Sequence, residues 1–155
     1  MVSIRSAVLV LLLVASTSGW ARERTAEEDL RYYLNAPVSG GDVFSQGKLD
    51  GIDYRKLLRA AVAYDRPSLA GIFRYTANGR LMGEGAETNG IILHALLHHW
   101  GDARFAAVLR VESTRVRRAV VAELDYGWGY PGWKSHEFPI TYQLAKHQKI
   151  ATSPP

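Results

Sequence analysis

The sequence predicts an all-α fold: a short bundle of antiparallel helix pairs finished by an irregular aromatic C-terminal cap. Two observations carry this expectation. Apolar residues recur at helical spacing from Ala26 to Leu34 and again from Ile52 to Leu124, and the alternation of a half-buried strand is nowhere sustained. In addition, shifting the chain by 36 residues overlays Leu57 on Leu93, Ala60 and Ala61 on Leu96 and Leu97, and Tyr64 on Trp100. Past the break it overlays Leu69 on Phe105, Ile72 on Val108 and Phe73 on Leu109. Such self-similarity reads as one helix–turn–helix unit used twice. With 155 residues, 47% of them hydrophobic, the chain can build one core and is too short for two ordinary domains.

The elements follow in order. Thr25-Ala26-Glu27-Glu28 is a capping box, so a helix begins there; Ala26, Leu30, Tyr33 and Leu34 form its stripe, and Pro37 ends it. Residues 38–50 hold three glycines with little period and read as a loop. Tyr54, Leu57, Leu58, Ala61 and Tyr64 share one helical face up to the break at Asp65-Arg66-Pro67. Leu69, Ile72 and Phe73 carry the next stripe, which Asn78-Gly79 should end with a left-handed residue. Gly83-Glu84-Gly85 leads into a helix from about Ala86 to Trp100, whose core face is Leu93, Leu96, Leu97 and Trp100. Gly101-Asp102 opens another with Phe105, Val108 and Leu109 inward. Ser113 caps the last helix, lined by Val116, Val120 and Leu124.

Arg5, the apolar run from Ala7 to Ala15 and the small or polar residues up to Ala21 have the layout of a signal peptide. The run is about half the roughly 20 residues a spanning helix needs, so residues 1–21 are expected to be removed and the protein to be periplasmic or secreted rather than transmembrane. This leaves residues 22–126 as the helical domain and 127–155 as the aromatic cap and tail. Removal takes away Arg5 alone, leaving 18 Lys+Arg against 15 Asp+Glu. That scattered, mildly basic charge gives no footprint for nucleic acid. The absence of cysteine excludes disulfides, a thiol nucleophile and thiolate zinc sites.

The segment from Ser113 to Leu124 resembles the second helix of a HEAT repeat: Val116-Arg117 opens it, and Val120 and Leu124 follow at helical spacing. The resemblance spans at most residues 51–126. It implies an α-solenoid-like stack of helix pairs and a tendency to bind proteins, and it says nothing of chemistry. About three units are usually needed to bury a continuous solenoid core, so the end segments must act as caps.

Two sets of residues are candidates for chemistry or contact. Glu87, His94 and His98 fall within about 40° on one edge of the helix that ends at Trp100, and Glu84 precedes them. Histidines at i and i+4 can share a divalent metal to which Glu84 or Glu87 adds an oxygen. Ala95 stands where a metalloprotease helix carries its glutamate, so that enzyme's general base is missing. The second set is the aromatic segment: Trp128, Tyr130 and Trp133, with Lys134, could stack on a sugar or a peptide, or cover the end of the bundle. No nucleophile elbow and no phosphate loop is present.

Three functions follow as expectations. The first is a non-catalytic module that binds an envelope protein, in the manner of an inhibitor or immunity protein, with no cofactor. The second is a metal-binding protein or metal-dependent enzyme using the Glu/His edge. The third is an envelope carbohydrate binder acting through the aromatic segment.

Overall fold

The computed structural model describes residues 24–126 and 136–146, and its regular structure is entirely helical. In chain order the helices are α1 (Ala26–Asn35), α2 (Val43–Leu49), α3 (Tyr54–Val62), α4 (Arg66–Asn78), α5 (Glu84–Trp100), α6 (Asp102–Arg110), α7 (Thr114–Tyr126) and α8 (Pro139–Lys146). The proposed leader and the residues Trp128, Tyr130, Trp133 and Lys134 lie outside the described residues.

Local chemistry sets most of the starts. At α1 the capping box is complete: the Glu28 N–H donates to Thr25 Oγ1 at 3.2 Å, and the Thr25 N–H donates to Glu28 Oε2 at 2.7 Å. Asp53 and Asp65 cap α3 and α4 by accepting from the Lys56 and Ser68 N–H groups. Gly101, at φ +73°, ends α5 and admits α6 directly.

The stop after α4 differs from expectation. Gly79 is extended (φ −68°), and a Cβ there would come within 2.7 Å of the Tyr75 ring and carbonyl, so the glycine serves close packing rather than a left-handed turn. The left-handed residue is Tyr64, at φ +63°. It closes α3 in a Schellman turn, with the Asp65 N–H donating to Ala60 O and the Tyr64 N–H to Ala61 O. Its ring stacks on His99 at 4.7 Å, and its hydroxyl donates to His99 O, contacts that offset the backbone strain.

Two segments expected to be irregular are helical. Residues 43–49 form α2, capped by Asp42, whose Oδ1 accepts the Ser45 N–H; Val43, Phe44 and Gly47 face the core. Gly47 sits against Tyr54 and the Ile52 carbonyl, where a Cβ would lie 3.1–3.2 Å away. Within the cap region, residues 139–146 form α8, with Phe138 and Tyr142 buried. Phe138 precedes α8 and has no capping oxygen. Instead the Asp102 carboxylate, at the head of α6, accepts the Ile140 and Thr141 N–H groups at 2.8 Å each.

The most extensive helix contacts are α1 on α5, α3 on α4, α4 on α7 and α6 on α8; α2, α6 and α7 also lie against α5, and α7 against α8. Interhelical hydrogen bonds recur at separations of 35 to 39 residues, among them Tyr54 to Asn89, Trp100 to Ala61 and Asp102 to Thr141. Contact of α4 with α7 closes the helices into a bundle, whereas units of an open solenoid touch only their neighbours. The helix at the centre, α5, is buried nearly all round.

A polar knot lies inside this core. Asn89, 0% exposed, accepts the Tyr54 hydroxyl at 2.8 Å and donates to Thr76 Oγ1 at 3.2 Å, and it hydrogen-bonds Glu123. Burial raises the carboxyl pKa of Glu123, and the Asn89 bond partly opposes this. Tyr54→Phe strips Asn89 of its best donor. The loss expected is about 1–2 kcal/mol, read as a lower urea midpoint at unchanged slope. An unchanged midpoint would show that the knot carries no net stability.

Candidate functional site

The polar edge of α5 does not assemble as the spacing suggests. Glu84 starts the helix and accepts the Ser39 hydroxyl, about 15 Å along the axis from His94. Glu87 is exposed, whereas His94, expected on an outer face, is only 8% exposed. Periodicity located a core face for α5 but could not show that its neighbours surround it. Of the four candidate ligands only His94 and His98 meet, their rings edge to face at 4.6 Å. Among the described residues no three His, Asp or Glu side chains converge as a metal would require.

Through His98, which is exposed, the His94–His98 pair touches the residue that precedes α8. The His98 ring meets Phe138 edge to face at 4.7 Å. Burial, and then the neighbouring His98, push the His94 pKa down to about 4. Burial also lowers His98, against the opposing charge of Glu137. His99 packs under Tyr64, with Nε2 2.9 Å from Val62 O.

A different surface has the character of a binding site. Leu49, at the end of α2, is 87% exposed, Met82 in the α4–α5 connection 74% and Val38 56%. All three line one open groove of about 880 Å³, whose charged side chains are Lys48 and Arg80. A second groove, of about 510 Å³, shares Val38 and Lys48 and adds Phe44, Ile52 and Arg55. The Arg55 guanidinium lies over the Phe44 ring at 4.5 Å and donates to Ala36 O.

This exposed apolar surface is held in place by hydrogen bonds beneath it. The Gln46 amide takes both backbone groups of Met82, accepting its N–H at 3.2 Å and donating to its carbonyl at 3.0 Å, and also donates to Gly41 O. Asp42 accepts the Ser39 and Ser45 N–H groups at 2.8 Å, fixing the turn that carries Val38. A Cβ at Gly85 would run into the Gln46 amide and push it aside.

A direct test of the clamp follows. In Gly85→Ala the amide is displaced while the core is untouched. The urea midpoint should fall by less than about 1 kcal/mol, and the Met82 amide should exchange with solvent much faster than in the parent. Equal exchange rates would show that Gln46 does not hold the loop.

Sequence reading missed this surface because residues 38–50 look like a loop. The available signal was Asp42 followed three residues later by Ser45, with Phe44 and Gly47 inward. Nothing in the sequence places Met82 on the same groove as Leu49. The chain matches no family model, no curated protein and no solved structure.

Proposed function

We propose that this chain is an exported, non-catalytic module that binds a protein partner of the cell envelope through the face formed by Val38, Leu49 and Met82. The observation that supports this most is that three large apolar side chains, well exposed, line one open groove. Scattered exposed apolar residues need no explanation, but a contiguous set beside a concavity is the usual mark of an interaction site. Gln46 and Asp42 fix the surrounding backbone before any partner arrives, which lowers the ordering cost of binding. No helix among the described residues is long and apolar enough to cross a membrane.

The test is capture of envelope proteins by the tagged full chain, in parallel with a Leu49→Ser, Met82→Ser variant. A stoichiometric partner retained by the parent and lost by the variant is the expected result. A partner held equally by both, or none held by either, would overturn the assignment.

A further inference from the structure

Lys48, Arg55 and Arg80 line the two grooves, and among the described residues none forms an ion pair with a carboxylate. Arg74, nearby on α4, differs: its guanidinium is committed to Glu112 through two bonds of 2.9 and 2.7 Å. The acids of this region are also engaged. Asp50 accepts the Tyr75 hydroxyl at 2.9 Å and the Arg80 backbone N–H at 3.5 Å, Asp53, which lines the second groove, caps α3, and Glu84 is turned toward Ser39 and Gly41. Three cations without a carboxylate partner therefore border an apolar surface.

We propose that this surface docks an acidic amphipathic segment of a partner protein: its apolar side chains enter the grooves beside Leu49 and Met82, and its carboxylates meet Lys48, Arg55 and Arg80. The inference rests on the binding-module reading above and adds the chemistry of the partner. Concavity favours a peptide over a lipid surface, because a groove beside a protruding leucine matches individual side chains, whereas a bilayer presents a broad fluid plane. An unpaired cation at the rim of an apolar groove gains a charge-assisted bond when a carboxylate arrives, and repels a basic segment.

The experiment is selection from a random 16-residue peptide display library on the immobilised full chain. Peptides with net negative charge and apolar residues at helical spacing should be enriched. Their affinity should weaken at least tenfold in Lys48→Glu, Arg80→Glu, and likewise in Leu49→Ser, Met82→Ser, with helical content by circular dichroism unchanged. It should also weaken several-fold between 50 and 300 mM salt. Enrichment of neutral or basic peptides that still require Leu49 and Met82 would overturn the acidic partner while leaving the binding module intact. Peptides indifferent to both double variants would overturn both readings. So would a failure to enrich any peptide alongside binding of phosphatidylglycerol vesicles that Lys48→Glu, Arg80→Glu abolishes, which would identify a lipid surface instead.

Discussion

Acidification from pH 7 to pH 4 is expected to cost the fold about 3 kcal/mol through His94 alone. The figure is the free energy of a drop from 6.5 to about 4 in the pKa of a buried imidazole. Above pH 6.5 neither the native nor the unfolded chain holds this proton, so stability is flat. Between 6.5 and about 4 the unfolded chain takes it up and the native chain does not, so stability falls as the pH falls. His98 acts in the same direction. Glu123 acts in the opposite one: its carboxyl is raised by burial, so its protonation favours the native state at the acid end. Urea midpoints at pH 7, 5.5 and 4 for the parent and for His94→Leu check this. The parent should lose stability steadily and the variant should show a flattened profile. Parallel profiles would refute the role of His94.

The second large effect is expected at Asp102. Its carboxylate sits at the amino ends of both α6 and α8 and takes two backbone donors of α8. Charge-assisted bonds of this kind contribute about 1.5–3 kcal/mol, so Asp102→Ala should destabilise the protein by about 2 kcal/mol. The loss should be local before it is global. Amides of residues 142–146 should exchange far faster in the variant while those of α5 keep their protection, and Phe138 and Tyr142 should become reactive to solvent probes. Asp102→Asn, which retains an acceptor for one donor, should fall between the two. Unchanged exchange in α8 would mean that packing of Phe138 and Tyr142 suffices without the cap.

The legible parts of the sequence are those whose signals are local. Thr25 with Glu28, Asp65 with Pro67, and Gly101 each mark a boundary within four residues of the atoms they bond, and those boundaries stand. The helix α8 was not legible because its cap is 38 residues away. For α2 the reason is length, since seven residues with an internal glycine give too few turns for a period to emerge. The candidate site shows the same limit. Spacing brings His94 and His98 together correctly and already sets Glu84 about 15 Å from His94 along the helix, whereas the burial of His94 depends on what packs around α5. The exposure of Met82 depends on Gln46, 36 residues earlier, and no periodic pattern encodes that bond.

The Gln46 clamp also bears on how quickly a complex would form and dissolve. A loop whose N–H and carbonyl are both held by one side-chain amide has no closing motion to make, so encounter should be limited by diffusion and by the cationic rim rather than by rearrangement. Variants that trim Leu49 or Met82 should then shorten the lifetime of a complex and leave its rate of formation nearly untouched. Charge changes at Lys48 or Arg80 should show themselves chiefly in how fast the partners find each other.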